Sequence, residues 1–293
     1  MRVATRGSAL ARWQAERVLE LLGGEGELVV VSTTGDRDTA SSIHALGGTG
    51  VFVKEVQEAV LRGHADVAVH SAKDLPAGTL SGLVLAAVPE RADPRDALVG
   101  SRLEDLRTGA RLGTGSVRRR AQLASLRPDL RFGELRGNIA TRIEKAGRFD
   151  AIVVAHAALE RLGLSARATE VLDPSLMLPQ VAQGALAVEC RADDARMLEE
   201  LARIDNAAAH REVLAERAFL ADLGGGCELP CGALATAAPS GVVQIEGLLA
   251  SLDGHVVVRA SATGDDPEEL GHAVARDLIV EHGGRAVLAE LAQ

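Results

Sequence analysis

Short apolar runs alternate with amphipathic segments along the first two-thirds of the chain. Residues 29–31, 67–69, 83–88, 97–99 and 152–154 form such runs, which is the pattern of strands buried on both faces of a parallel sheet. Between them, apolar residues recur at helical spacing. One predicted helix follows a capping Ser8 and carries Leu10, Trp13, Val18 and Leu21; a second carries Val53, Val56, Val60 and Leu61 and stops at Gly63.

The same alternation continues to about residue 190 and then changes. Strands are predicted at 111–113 and 130–135 and helices at 116–126 and 139–147, while a strand at 185–190 is expected to return to the first block. After residue 206, a helix at 211–223, alternating strands at 242–249 and 255–260, and two closing helices predict a small α+β domain. The expected fold class is α/β: two domains resembling periplasmic binding proteins, forming a cleft, plus this third domain.

Three domains are predicted from these patterns. The first lobe comprises residues 1–89 with 185–203, the second comprises 90–184, and the C-terminal domain comprises 204–293. A chain of 293 residues has room for such a division.

Charge is distributed unevenly along the chain. The formal net charge is -9, yet residues 102–148 hold twelve basic and five acidic residues, a local excess of +7. A uniformly basic surface is therefore excluded, and aromatic residues, at 2%, are too few for recognition by base stacking. Arginines number 29 against three lysines, and the arginine fork suits carboxylate or phosphate oxygens.

The three cysteines, Cys190, Cys227 and Cys231, match no zinc pattern, so no metal is predicted. The first residues lack the features of a secretory signal, and the longest nearly apolar run, 151–159, is too short to span a bilayer. We expect a cytoplasmic protein with free thiols. Cys190 has the setting of a buried strand cysteine, whereas three glycines before Cys227 predict an accessible thiol.

The candidate chemistry lies in loops that follow predicted strands, where open α/β sheets bind ligands. Lys73 and Asp74 lie in loop 70–76, although an Asp before Leu-Pro is also an ordinary turn residue. Loop 113–120 joins a glycine-rich turn to a capping Ser116 and to Arg118 and Arg119, which is typical of an anion site. Arg136, Arg142 and Arg161 follow the next strands. We interpret these arginines as a polyanion cradle in preference to a solvated face.

Six segments in order, 4–8, 70–76, 113–119, 135–138, 183–185 and 225–227, together resemble the hydroxymethylbilane synthase family, whose members are also called porphobilinogen deaminases. The resemblance implies a transferase of tetrapyrrole and haem biosynthesis. Such an enzyme joins four porphobilinogen molecules head to tail, releases ammonia at each step, and uses water to free hydroxymethylbilane. Its primer is one dipyrromethane cofactor bound through a cysteine thioether.

The resemblance also assigns residues by motif position. Asp74 is implied as the catalytic carboxylate, with Lys73 neutralising a substrate acid group, and Cys227 as the thioether attachment. The implied cofactor-binding residues are Lys73, Asp74, Thr114, Ser116, Arg118, Arg119, Arg136 and Cys227. The implied substrate-binding residues are Arg6, Ser8, Arg142, Arg161 and Gln183. Porphobilinogen and water are the expected partners of a monomer that binds neither nucleic acid nor membranes.

Two positions depart from the family pattern or add to it. Thr49, in the glycine-rich segment 47–50, stands where the family often has a lysine, although Lys54 is close in sequence. Cys231 is an additional thiol near the primer attachment. The alternatives are a two-lobed anion-binding protein, which needs neither a glycine-flanked thiol nor a third domain, and, less favoured, a nucleic-acid binder.

Overall fold

The first sheet contains five strands and carries the turn with Lys73 and Asp74. The computed structural model describes residues 1–33, 50, 53–225 and 229–292. The strands of this sheet lie in the order β2-β1-β3-β10-β4; they are β1 (Arg2–Arg6), β2 (Glu27–Val31), β3 (Val67–Ser71), β4 (Leu83–Ala87) and β10 (Leu186–Arg191). The predicted return of segment 185–190 to the first block is confirmed, because β10 lies between β3 and β4.

The second sheet also has five strands, in the order β7-β6-β8-β5-β9. They are β5 (Asp96–Val99), β6 (Arg111–Gly113), β7 (Arg131–Gly133), β8 (Ala151–Ala155) and β9 (Glu170–Val171). Strand β8 is buried at every position, in keeping with its unbroken apolar sequence.

Neither sheet is purely parallel, so that expectation is wrong. Strand β10 runs antiparallel to both β3 and β4, and β5 runs antiparallel to both β8 and β9. These are the first strands that the chain forms after crossing from one sheet to the other, and each enters from the opposite side. An apolar run reports burial and not direction, which is why the pattern did not reveal this.

A third, antiparallel sheet follows in the order β11-β12-β13. Its strands are β11 (Cys231–Ala237), β12 (Val243–Ala250) and β13 (Val257–Gly264). The sequence predicted the last two and missed β11, whose small residues lack a clear alternation. The expected fold class, two α/β domains with a smaller α+β domain, is confirmed; the predicted domain boundaries remain a prediction.

The helices pack on these sheets, and their bounds are close to those predicted where a prediction was made. They are α1 (Ala9–Leu21), α2 (Lys54–Leu61), α3 (Val117–Leu126), α4 (Ile139–Glu144), α5 (His156–Arg161), α6 (Ala195–Ala202), α7 (Ala207–Asp222), α8 (Pro267–Val280) and α9 (Gly284–Leu291). No helix among the described residues is long and apolar enough to cross a membrane.

The buried face of α1 differs from the predicted one. Gln14, Ala15, Val18 and Leu19 are buried, whereas Leu21 is exposed and Trp13 is only half-buried. Apolar residues at helical spacing therefore serve two surfaces here: Val18 packs on the sheet, and Trp13 faces the second lobe, where it lies against Arg161.

Two chain segments cross between the first two sheets and lie against each other. The Ala92 N–H donates to the Gly184 carbonyl at 3.2 Å. Gly184 has a φ of +86°, and a Cβ there would collide with the Ala92 carbonyl oxygen, so only glycine permits this approach.

Helix α7 of the third domain binds both crossing segments through Glu216. This carboxylate is fully buried and accepts from Arg91 Nη1 at 2.7 Å and Nη2 at 3.1 Å. It also accepts from the backbone N–H groups of Ala182 and Ala235 at 2.5 and 2.8 Å. One side chain thus holds the two crossing segments and strand β11 of the third sheet in place relative to each other.

Candidate active site

The turn after β3 presents Lys73 and Asp74 at the carboxyl end of a buried strand. Residues Ala72–Asp74 form one 3-10 turn, and Leu75 behind them is buried. The Ala72 N–H donates to the Ala185 carbonyl at 3.1 Å, which joins the turn to the start of β10. The fixed backbone holds both side chains toward the second lobe.

The loop between β6 and α3 directs two arginines into the protein. Ser116 caps α3 by accepting from the Arg119 N–H at 3.4 Å, and Thr114 Oγ1 accepts from the Ser116 N–H at 3.1 Å. With the helix start fixed in this way, Arg118 and Arg119 leave its first turn on the buried side; they are 2% and 5% exposed. Ser116 and Thr114 therefore have a local structural role in addition to any contact with a ligand.

A buried carboxylate that the sequence reasoning missed, Asp96, lies opposite these arginines. It accepts from Arg119 Nε at 3.0 Å and Nη2 at 2.7 Å, and its other oxygen lies 2.8 Å from Arg118 Nη2. Burial opposes its ionisation, yet the two guanidinium groups keep the pKa of Asp96 well below its ordinary value. One carboxylate is thus shared by two cations, which leaves an excess of positive charge.

A sequence signal for Asp96 exists. It is the last charged residue of the run 90–96 and directly precedes the buried residues 97–99. A carboxylate adjoining a fully buried strand must have a cationic partner, since an unpaired buried charge is costly. The signal indicates a buried ion pair without saying which arginine forms it.

Gln183 connects the turn of the first lobe to this pair. Its side-chain nitrogen donates to Asp96 Oδ1 at 2.9 Å and to the Pro94 carbonyl at 2.7 Å. Its side-chain oxygen accepts from Lys73 Nζ at 3.3 Å and from Arg119 Nη2 at 3.5 Å. The fully buried amide therefore lies at the junction of both lobes.

The charges around Lys73 change its titration. Burial, followed by repulsion from Arg119, lowers the pKa of Lys73 to about 8, although Asp74 and Asp96 act in the opposite direction. The ammonium group remains mainly protonated at pH 7 and loses its proton in the mildly alkaline range.

Arg142 and Arg136 extend the positive region along the second lobe. Burial and then repulsion from Arg119 lower the pKa of Arg142 to about 10, while Asp74 raises it. Arg142 Nε donates to the Gly137 carbonyl at 2.8 Å, and Arg136 pairs with Glu134 at 3.4 Å. Asp74 consequently lies within electrostatic reach of both Lys73 and Arg142.

We call the residues that these contacts and charges bring together the cleft cluster: Lys73, Asp74, Asp96, Arg118, Arg119, Arg142 and Gln183. Arg161 lines a cavity together with Lys73 and Gln183. Arg6 ends β1, and Ser8 caps α1 by accepting from the Ala11 N–H at 3.2 Å. Both lie at the same sheet edge as the end of β3, because β1 and β3 are parallel neighbours.

Other arginines of the basic segment lie outside this region. Arg120, Arg131 and Arg148 are exposed, and Arg111 stacks on Phe149 with its guanidinium carbon 5.0 Å from the ring centroid. The basic segment as a whole therefore does not face one cleft, because successive residues of a helix or strand point to different sides.

Cys227, the predicted attachment residue, lies outside the described residues. So does Thr49, which differs from the lysine often found at that position in the family. Gly225 and Leu229, on either side of residues 226–228, pack so closely that a Cβ at Gly225 would overlap the Leu229 side chain. The additional cysteine, Cys231, is buried at the start of β11. A Cβ on the adjacent Gly232 would lie 3.4 Å from Arg118 Cδ, so β11 begins beside the cleft cluster.

Comparison with known proteins decides the family. The family model "Porphobilinogen deaminase, dipyromethane cofactor binding domain" matches residues 1–199, and "Porphobilinogen deaminase, C-terminal domain" matches residues 210–280. The chain belongs to the porphobilinogen deaminase family. The resemblance inferred from six short motifs is thereby confirmed over most of the chain.

Several curated relatives named porphobilinogen deaminase cover nearly the whole chain. The protein of Acidothermus cellulolyticus is 47% identical over 95% of this chain and 88% of its own length. That of a Roseiflexus species is 46% identical over 98% of both chains. Among solved structures, a TRAP periplasmic solute-binding protein from Ralstonia eutropha covers 75% of this chain and 80% of its own, at 16% identity and a TM-score of 0.39. Because that score is low, the fold assignment rests on the sheet topology.

The site fits the dipyrromethane cofactor of the porphobilinogen deaminase family. A dipyrromethane built from porphobilinogen units carries acetate and propionate groups, which require charge-assisted partners. Arg118 Nε is buried without a hydrogen-bond acceptor among the described residues, and the cluster as a whole has more cations than carboxylates. An unpaired buried donor is costly unless a ligand completes it, so this donor set suits an acidic group.

Proposed function

We propose that this protein joins four porphobilinogen molecules head to tail, with release of one ammonia at each addition, and hydrolyses the chain to hydroxymethylbilane. The observation that carries the proposal is the meeting of the Lys73–Asp74 turn with buried arginines of the other lobe across Gln183. Family membership and the cofactor-binding domain support the same reaction.

Asp74 is proposed as the catalytic carboxylate. Departure of ammonia from porphobilinogen leaves an electron-poor carbon conjugated with the pyrrole nitrogen, so positive charge develops on the ring. A carboxylate fixed at the end of a strand and hydrogen-bonded to the pyrrole N–H would stabilise that charge without reorganising during the step. Lys73 and Arg142 both interact electrostatically with Asp74, so the carboxylate stands in the same positive region that would bind the acid groups of the substrate.

The arginines are proposed to bind the acid side chains of the cofactor, the growing chain and the substrate. The residues assigned to the cofactor are Lys73, Asp74, Thr114, Ser116, Arg118, Arg119 and Arg136, with Cys227 as the covalent attachment. Those assigned to the substrate are Arg6, Ser8, Arg142, Arg161 and Gln183. Lys73 is assigned a second role, the neutralisation of an acid group of the substrate. When bound, the dipyrromethane supplies the free pyrrole carbon to which the first substrate is joined. Because Asp96 neutralises only part of the charge on Arg118 and Arg119, these side chains retain attraction for carboxylates.

We further propose that the enzyme acts as a monomer in the cytoplasm, with water as the second substrate. Cys190 is a buried thiol outside any disulfide, which agrees with a reducing compartment.

The reaction is tested by incubating the purified protein with porphobilinogen. Consumption is followed with Ehrlich's reagent and ammonia release with an independent assay. We expect one ammonia for each porphobilinogen consumed and a linear tetrapyrrole by mass spectrometry. A protein that binds porphobilinogen without releasing ammonia would instead be an anion-binding protein, and the proposed function would be wrong.

A further inference from the structure

A contact between an aromatic ring and an arginine joins the two lobes across the cleft. Trp13 lies on α1 of the first lobe, and Arg161 is the last residue of α5 in the second. The guanidinium carbon of Arg161 is 5.8 Å from the centroid of the Trp13 ring, within the range of a cation–π interaction. Trp13 is the single tryptophan of the chain.

Arg161 lacks a carboxylate partner of the kind that Arg119 has. Its Nη2 donates to the Gly184 carbonyl at 2.6 Å, and among the described residues no carboxylate oxygen accepts a hydrogen bond from it. The carboxylate of Glu160 interacts electrostatically with Arg161, and its Oε1 lies 3.4 Å from His156 Nε2. Burial lowers the pKa of Arg161 to about 10, so the guanidinium remains a cation at neutral pH.

The Trp13 ring, unlike a carboxylate, leaves the charge and most N–H donors of Arg161 available to a ligand. Its negative face attracts the guanidinium and restricts its orientation, yet the ring has no formal charge and cannot neutralise it. The donors that do not point at the Gly184 carbonyl therefore remain available to an acid group. Arg161 lines the same cavity as Lys73 and Gln183, so the cation is retained beside the cleft cluster.

From this geometry we propose that Trp13 is a positioning residue. Its ring orients the guanidinium group of Arg161 across the cleft without neutralising its charge, so that Arg161 can bind a carboxylate of porphobilinogen. The proposal rests on the proposed function for the identity of that carboxylate. The contact between ring and guanidinium does not rest on it and can be measured separately.

The contact is tested first by fluorescence in the full-length protein without added porphobilinogen. Because Trp13 is the single tryptophan and the chain has no tyrosine, the protein's fluorescence reports on this ring. Arg161→Met should change the intensity or the wavelength maximum of that emission. Arg148→Met, which removes an exposed arginine of the same lobe, should leave the spectrum unchanged. Identical spectra for wild type and Arg161→Met would overturn the contact, whether or not the protein consumes porphobilinogen.

The positioning role is tested by steady-state kinetics. Trp13→Leu should raise the KM for porphobilinogen by about 2- to 30-fold with a smaller change in kcat, the range expected for losing one cation–π contact. Trp13→Phe, which keeps a ring, should lie between Trp13→Leu and wild type. Leu21→Ala removes an exposed apolar side chain at the far end of the same helix and should behave as wild type.

A double-mutant cycle separates positioning from a general structural effect. In the Arg161→Met background, Trp13→Leu should add little to the increase in KM, since the side chain that the ring positions is already gone. Full additivity, or an equal loss of kcat in Trp13→Leu and Trp13→Phe, would overturn the positioning role. Failure of the proposed function would appear in a different measurement, because the wild-type protein would then release no ammonia from porphobilinogen.

Discussion

Asp74 interacts electrostatically with two cations, Lys73 and Arg142, and lies in a turn that a backbone hydrogen bond joins to Ala185, just before β10. In the proposed reaction Asp74 acts through its negative charge, held at a fixed position. Replacing it with asparagine keeps the shape of the side chain and removes the charge, which tests this role. Asp74→Asn should lower kcat by about 100- to 1000-fold, the usual cost of removing one preorganised electrostatic partner.

The measurement is the initial rate of porphobilinogen consumption, with folding checked by circular dichroism. The control is Asp193→Asn, which changes an exposed carboxylate and should leave the rate unaffected. Near-normal turnover of Asp74→Asn would remove Asp74 from the catalytic role.

Lys73 provides a prediction about pH. Its pKa of about 8 means that the ammonium group loses its charge as the pH rises from 7 to 9. If the charge binds a carboxylate, the KM for porphobilinogen should rise across this range, whereas Lys73→Arg, which stays protonated, should give a nearly flat profile. Lys54→Arg, at an exposed position of α2, should retain the wild-type profile. A KM of wild type that is independent of pH would contradict the assignment.

The effect of Lys73 on stability has the opposite sign. Its folded-state pKa lies below the ordinary value of 10.5, so between about pH 8 and 10.5 the unfolded chain holds a proton that the folded protein has lost. The contribution of Lys73 to the free energy of unfolding therefore rises with pH in that window. Weaker substrate binding at alkaline pH would accordingly not be due to destabilisation by this group.

At the scale of elements, β5 and α3 are joined by the buried group of Asp96 with Arg118 and Arg119. Removing the charge of Asp96 leaves two buried guanidinium groups without their shared partner. Asp96→Asn should lower the free energy of unfolding by about 3–5 kcal/mol, the usual cost of breaking a buried ion pair from one side.

Urea denaturation measures this loss. The matched control is Asp129→Asn, which removes the partner of Arg127 from a more exposed pair in the same lobe and should have a much smaller effect. Equal losses in the two variants would show that the buried group does not have the stabilising role given to it here.

The elements also show which features the sequence could reveal. Strands such as β3 and β8 were predictable because their apolar runs are continuous, and the anion-binding loop was predictable from glycines followed by Ser116 and two arginines. The direction of β5 and β10 was not, since antiparallel and parallel buried strands share the same hydrophobic pattern. β1 went unpredicted because charged residues occupy both of its ends.

The contacts between side chains were the part of the site that the sequence predicted least well. The sequence singled out Arg118, Arg119 and Gln183, but their common contact with Asp96 depends on how β5 lies beside β8, which no local pattern encodes. Trp13 was assigned to the core face of its helix because spacing alone cannot distinguish a sheet from an opposing lobe.

Across the whole molecule, the charge distribution and the two crossing segments together place positive charge in the cleft. A chain of net charge -9 keeps Arg118, Arg119, Arg142 and Arg161 wholly or largely buried between its lobes, so attraction for carboxylates is concentrated in the cleft. Glu216 binds both crossing segments and, through the Ala235 N–H, strand β11. The third domain, which carries Cys227, is thereby held in a fixed relation to the cluster that would receive the cofactor's acid groups.

The proposed covalent dipyrromethane on Cys227 is tested by the mass of the intact, denatured protein. Wild type should exceed the mass of its polypeptide by one dipyrromethane. Cys231→Ser should keep that excess, because Cys231 is buried in β11, and Cys227→Ser should lose it. A Cys227→Ser protein that retains the full added mass would contradict the account.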